Sequence, residues 1–200
     1  LVGSLAGAAS ASAQETILKV HHFLSATSNI HENLILPWCV KVNKESSGRL
    51  KCQIYPSMQL GGTPPQLFDQ ARDGVADIVW TVPTYQAGRF TKTEVFELPF
   101  MAEHAERTSP ALWDYVQKNS LDEYRGVRPL FVHVNDGHLL HMGKAAVRKL
   151  EDLKGLKVRT PTRLSSRILS ALGATPVQMP VPVVPDAISK GVVDGALLPW

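Results

Sequence analysis

Ala76-Asp77-Ile78-Val79-Trp80-Thr81-Val82 is the stretch of this 200-residue sequence that does most to decide its fold. The run is short and nearly continuous in apolar residues, which is typical of a strand in a parallel sheet covered on both faces. Two further strands are predicted before it, at residues 17–20 and 50–55, with a helix in each interval. Alternation of strand and helix predicts an α/β fold.

The two helices of this first half are predicted at residues 28–43 and from Thr63 onward. Pro37 lies inside the first one and predicts either a kink or a late start, because proline disrupts a helix interior. Thr63 is a suitable N-cap, with Pro64 at the first helical position. His21-His22-Phe23 is expected just beyond the end of the first strand.

The second half of the chain repeats the alternation. Strands are predicted at residues 129–134, 156–159, 176–179 and from 192, and helices at 110–116, 164–172 and 186–190. We therefore expect two α/β lobes, the first at residues 14–136 and the second at 137–200. The second lobe is expected to be incomplete, since its last strand reaches the end of the sequence near Trp200.

Composition and charge narrow the class of protein. Hydrophobic residues make up 44% and charged residues 20%, which is typical of a globular protein with a sizeable core. The formal net charge is +3 and no Lys/Arg run stands out, so no nucleic-acid partner is predicted.

The first residues predict export. Residues 1–9 are apolar and uncharged, and Ala11-Ser12-Ala13 fits a signal-peptidase site with cleavage before Gln14. Residues 1–13 are thus expected to be the remnant of a signal peptide, which implies a periplasmic protein; a flexible Ala/Ser tail is the alternative. Cys39 and Cys52 could form a disulfide in an oxidising compartment, or remain two buried thiols.

Candidate pocket positions follow from the predicted topology. Ligands of α/β proteins bind beyond the carboxyl ends of strands, which selects residues 21–23, 82–85, 135–141 and Arg159. Short motifs occur along the chain in a distinctive order, among them Tyr55-Pro56-Ser57-Met58-Gln59-Leu60-Gly61, Glu97-Leu98-Pro99-Phe100 and Leu156-Lys157-Val158-Arg159.

These motifs, with others at residues 47–50, 73–77, 172–177 and 191–195, resemble the substrate-binding subunit of a tripartite ATP-independent periplasmic (TRAP) transporter of the DctP type. The resemblance covers nearly all of residues 17–200. It implies a periplasmic binding protein fold, in which two lobes joined by hinge segments close over one ligand. It also implies no catalysis and no cofactor, two membrane subunits as partners, and a longer chain whose C-terminal part is missing here.

The resemblance implies one site residue with particular clarity. Arg159 matches the family arginine that pairs with the substrate carboxylate, and a guanidinium offers the planar fork of donors that a carboxylate needs. At pocket positions where relatives that bind sialic acid have polar groups, this chain has apolar ones, namely Phe23, Val82, Leu139 and Leu198. We therefore expect an aromatic or apolar monocarboxylate as ligand; a sugar acid or a short 2-oxo or hydroxy acid is the alternative.

Other residues complete the expected site. Trp80, Tyr85 and Trp200 could stack on a ligand ring, or else pack in the core. His22, His138 and His141 could hydrogen-bond a ligand oxygen, or else be ordinary core or surface residues.

The sequence argues against two other functional classes, an enzyme and a ligand-sensing module. An enzyme is disfavoured because the sequence has no HExxH zinc motif, no GxSxG elbow and no P-loop, and no metal site is predicted. A ligand-sensing module would share the fold, but the predicted export signal argues against it.

Overall fold

A computed structural model of the protein describes residues 15–144 and 146–199. The predicted signal-peptide remnant and Trp200 lie outside the described residues. Within these ranges, no helix is both long enough and apolar enough to cross a membrane.

The first sheet has three parallel strands in the order β2-β1-β3. Its strands are β1 (Thr16–His22), β2 (Leu50–Tyr55) and β3 (Ile78–Trp80). Helix α1 (Leu36–Glu45) links β1 to β2, and α2 (Leu67–Arg72) links β2 to β3. Strand–helix alternation therefore produces a parallel sheet, as predicted.

The chain is helical before Pro37 as well as after it. A single π-helical turn at His31–Ile35 precedes α1, and Pro37 occupies its first turn. Residues 29–45 are helical throughout, so the late start is wrong; the π-helical residues just before Pro37 are the local irregularity that a proline causes inside a helix. Cys39 of α1 is disulfide-bonded to Cys52 of β2, with 5.7 Å between the Cα atoms, which decides between the two alternatives.

Strand β1 runs two residues further than predicted. His21 and His22 belong to it and both are fully buried. Polar rings can be buried here because each finds a hydrogen-bond partner: Nδ1 of His21 lies 2.7 Å from Oε1 of Gln70, and Nε2 of His22 lies 2.9 Å from Nδ1 of His31.

The middle of the chain departs most from prediction. Helix α3 (Ala105–Tyr115) begins five residues before the predicted start and holds Pro110 in its interior. The strand predicted at residues 129–134 is wrong, since this segment joins neither sheet. Its apolar residues Val132 and Val134 pack instead against a core cluster that includes Phe90, so packing rather than a strand ladder accounts for the apolar run.

The second sheet has four strands in the order β4-β7-β5-β6. Its strands are β4 (Leu139–Met142), β5 (Lys157–Thr160), β6 (Thr175–Gln178) and β7 (Gly195–Leu198). Helix α4 (Arg163–Ala171) links β5 to β6, and α5 (Val184–Ser189) links β6 to β7. Only β4 is antiparallel to its neighbour. It was not predicted; residues 135–141 were expected to be a loop beyond a strand.

Candidate binding site

Arg159 lies in β5 at the centre of the second sheet and is only 1% exposed. Two main-chain carbonyls hold its guanidinium, one in β7 and one directly after β6. Nε donates to the Met179 carbonyl at 2.8 Å, and Nη1 donates to the Leu197 carbonyl at 3.0 Å. The anchor predicted from the sequence is therefore a buried and oriented cation.

The charge of Arg159 has no protein counterion among the described residues, whose ion pairs all lie elsewhere. Burial lowers its pKa, an effect that Tyr85 partly offsets; arginine nevertheless stays protonated. Of five N–H groups, Arg159 directs three at Met179, Leu197 and the Tyr85 hydroxyl, the last at 3.5 Å. A buried charge of this kind favours an anionic ligand that accepts the remaining N–H groups.

Three predicted aromatic residues form a connected group, of which Tyr85 contacts this guanidinium. The ring centroids of Phe23 and Trp80 are 5.2 Å apart, and those of Phe23 and Tyr85 are 5.7 Å apart. The Tyr85 hydroxyl accepts from Arg159 and also from the backbone N–H of Val181 at 3.4 Å. Burial raises the pKa of Tyr85, so the phenol stays protonated at neutral pH. Phe23, Trp80 and Tyr85, here called the aromatic cluster, thus join the first sheet to the arginine.

The aromatic cluster has one neighbour that sequence reasoning missed. Nε1 of Trp80 donates to Nε2 of His133 at 3.2 Å, and the two rings are near-parallel with centroids 6.0 Å apart. His133 lies in the segment predicted as a buried strand. The sequence feature that could have indicated its role is a single histidine flanked by apolar residues.

His22 is placed differently from the other predicted ligand contacts. Its ring is fully buried against His31, and Nδ1 has no hydrogen-bond partner among the described residues. Burial, reinforced by His31 and His21, lowers the pKa of His22 to about 4. The ring is therefore neutral at physiological pH, and a direct contact with ligand stays a prediction.

The remaining predicted positions lie around the ends of β4 and β7. Leu139 and Leu198 are paired across these strands, and Leu198 follows the residue whose carbonyl holds Arg159. Nε2 of His141 lies 3.2 Å from the Leu198 carbonyl. Surrounding protein atoms lower the pKa of His138, and the charge of Arg159 lowers it further.

Val82 is half-buried and directly precedes the turn Pro83–Tyr85 that carries Tyr85. That Val82, Leu139 and Leu198 form apolar walls of the site stays a prediction. The described part of the chain contains no group of three or more His, Cys, Asp or Glu residues able to hold a metal ion.

Two polar contacts cross between the halves of the chain just after Arg159. The Thr162 hydroxyl donates to Oε2 of Glu97 at 2.7 Å, and Nη2 of Arg163 lies 2.8 Å from Oε2 of Glu94. Burial raises the pKa of Glu97, against the opposing effect of hydrogen bonds from Thr84 and Thr162. The segment that follows the anchor is thus tied to residues that precede α3.

A buried cation in contact with an aromatic cluster forms a candidate site for a small organic anion. The sequence matches the family described as bacterial extracellular solute-binding protein, family 7 (DctP), over residues 20–200. The chain belongs to this family, whose members are binding proteins rather than enzymes.

Three known proteins show how similar the relatives are. A TRAP solute-binding protein of Rhodoferax ferrireducens, solved with copurified benzoate, is 51% identical with a TM-score of 0.90, over 92% of this chain and 57% of that one. A marine metagenome TRAP solute-binding protein specific for aromatic acid ligands, solved with 3-hydroxybenzoate, is 48% identical with a TM-score of 0.91. The match covers 94% of this chain and 58% of that one. The 2,3-diketo-L-gulonate-binding periplasmic protein YiaO of Escherichia coli is 26% identical over 76% of this chain and 47% of its own length. The chain thus spans about half the length of these relatives.

Proposed function

We propose that this protein is the periplasmic solute-binding subunit of a TRAP transporter and captures an aromatic monocarboxylate. The observation that carries the proposal is Arg159, buried without a described counterion and in contact with the aromatic cluster. The guanidinium binds the carboxylate through its remaining N–H groups. The aromatic and apolar side chains cover the body of the ligand.

The relatives support the ligand class. The two proteins near half identity hold benzoate and 3-hydroxybenzoate, whereas the relative named for a sugar acid shares only 26% of aligned residues. Leu139, Leu198 and Val82 give a sugar acid few groups with which to pair its hydroxyls, and unpaired buried hydroxyls are costly. Periplasmic location agrees with the family and with the predicted export signal.

The two lobes of the proposal are residues 14–136 and 137–200, each with one of the two sheets. The contacts of Glu97 and Glu94 with Thr162 and Arg163 join them a few residues after Arg159. In this proposal the partners are the membrane subunits of the transporter, which receive the ligand when the lobes open.

A thermal-shift and calorimetric screen of the full-length mature protein tests the proposal. Benzoate and 3-hydroxybenzoate are expected to raise the melting temperature, since a ligand that binds only the native state stabilises it by about 2.7 kcal/mol at one hundred times its Kd. The shift should disappear in Arg159→Ala and persist in Arg107→Ala, an exposed arginine of α3. A shift with D-glucuronate but not with benzoate would overturn the ligand class.

A further inference from the structure

A group of three near-parallel rings includes Trp80 of the aromatic cluster. His133 is paired with both Trp80 and Phe131. Both centroid separations are 6.0 Å, and the planes are inclined by only 21° and 25°. The indole N–H and the Nε2 lone pair each lie in their own ring plane, so His133 meets the indole edge to edge through the hydrogen bond.

The hydrogen bond assigns the tautomer of His133. An indole N–H can only donate, so Nε2 of His133 accepts and the proton of the neutral ring lies on Nδ1. A hydrogen bond with the backbone of Val134 involves the same histidine, and burial lowers its pKa, which favours the neutral ring. The ring is therefore held in one orientation with its acceptor directed at Trp80.

The backbone alone leaves the indole orientation open. Trp80 is the last residue of β3, paired with His22, so the sheet positions its Cα but not its χ angles. His133 supplies the missing constraint from a segment outside both sheets. The oriented indole then packs on Phe23, which packs on Tyr85, whose hydroxyl meets Arg159.

We infer that His133 is a positioning residue that sets ligand specificity: by holding the Trp80 indole, it makes the site prefer a planar aromatic carboxylate to a non-planar carboxylate of equal charge. This inference rests on the proposed function and adds the residue that determines its selectivity. His133 acts through Trp80, because a flat ring held in one orientation makes extensive contact only with a ligand that can lie flat against it.

The test compares Kd values for benzoate and cyclohexanecarboxylate, which have the same carboxylate but a planar and a puckered ring. Isothermal titration is done on the full-length wild type and three variants. His133→Phe keeps a ring at this position but removes the acceptor, and His133→Gln restores an acceptor. His104→Phe, at an exposed histidine before α3, is the matched control.

The wild type is expected to prefer benzoate. In His133→Phe this preference should fall about tenfold, through loss of one buried hydrogen bond and of the indole orientation. His133→Gln should recover most of the preference, and His104→Phe should retain all of it. In a Trp80→Phe background, His133→Phe should have no further effect on the preference, since the residue it positions is gone.

The outcomes separate the two proposals. If the wild type binds neither carboxylate, the proposed function itself fails. If the wild type prefers benzoate and His133→Phe keeps that preference, only the role of His133 is overturned. An equal loss of affinity for both ligands, with a lower melting temperature of the ligand-free variant, would also overturn it, because that pattern indicates a purely structural residue.

Discussion

Arg159 combines two properties that are rarely found together in one side chain. It is almost wholly buried, and its described partners are neutral oxygens rather than a carboxylate. A desolvated cation gains most when an anion arrives, because the attraction between charges is stronger away from water. The shape of the guanidinium then decides which anions fit well.

The fork of Arg159 is predicted to matter as much as its charge. Arg159→Lys keeps the charge but replaces the planar fork by a point charge that cannot bind a carboxylate bidentately. We expect benzoate to bind at least tenfold more weakly, with no comparable effect from the exposed control Arg107→Lys. Calorimetric Kd values measure this, and equal affinity in Arg159→Lys would mean that charge alone anchors the ligand.

His22 predicts a dependence of stability on pH. Its pKa is about 4 in the folded protein and near 6.5 in the unfolded chain. The folded state therefore favours the neutral ring, so this contribution is complete above pH 6.5 and is lost as the pH falls toward 4. Between pH 7 and pH 4.5 the wild type should lose about 2 kcal/mol more than His22→Gln.

Urea unfolding at the two pH values measures this difference. Other groups titrate in both proteins, among them Glu97, His133 and His138. The comparison with His22→Gln removes their common effect. Equal pH dependence in the two proteins would show that His22 is not the group responsible.

At this scale, sequence reasoning predicted residues that the fold brings into contact, and their role in binding stays a prediction. Arg159, Phe23, Trp80 and Tyr85 were predicted and do lie together. His133 could not be found in this way, because its role depends on contact with a residue 53 positions away. Spacing along a chain carries no information about such a contact.

At the scale of elements, the local sequence pattern predicted the repeated strand–helix–strand units. The parallel strands and the helices between them follow from apolar periodicity, with ends displaced by a few residues. The antiparallel strand β4 was missed because it is only four residues long and directly follows the turn-like residues 135–138. The apolar run at residues 129–134 was misassigned because it packs on a core cluster without joining a sheet.

The disulfide between α1 and β2 predicts a further element-scale effect. It joins residues separated by 13 positions, and closing a loop of this size stabilises the native state by about 3 kcal/mol in the chain-entropy model. Cys39→Ala with Cys52→Ala should therefore lower the free energy of unfolding by about 2–3 kcal/mol. Urea titration measures the loss. A reductant should cause a similar loss in the wild type and none in the double variant.

At the scale of the whole molecule, the two sheets meet around one anchor. The contacts between Glu97 and Thr162, between Glu94 and Arg163, and between Tyr85 and Val181 all cross from the first half to the second. One of them involves Tyr85, which also contacts Arg159, and the other two involve residues a few positions after Arg159. The two-lobed plan was predicted; these side-chain pairs depend on tertiary geometry and were not.

The pair of Glu94 and Arg163 is predicted to support ligand affinity from outside the site. It is partly exposed, and such pairs contribute about 0.2–1 kcal/mol. Glu94→Arg or Arg163→Glu alone should weaken benzoate binding roughly two- to fivefold, because each leaves like charges across the contact. The double variant should regain most of the affinity. Calorimetric Kd values that show no recovery would contradict a direct charge interaction.

The two acceptors that hold Arg159 most closely are main-chain oxygens, of Met179 and Leu197. Every residue type supplies such an oxygen, so the side chains at these two positions can drift over evolution without displacing the arginine. The walls of the site have no such protection, because each contact there depends on a particular ring or aliphatic group. Under the proposed function, substitutions in the walls can change which carboxylic acid is bound, while the recognition of the carboxylate by Arg159 is inherited unchanged.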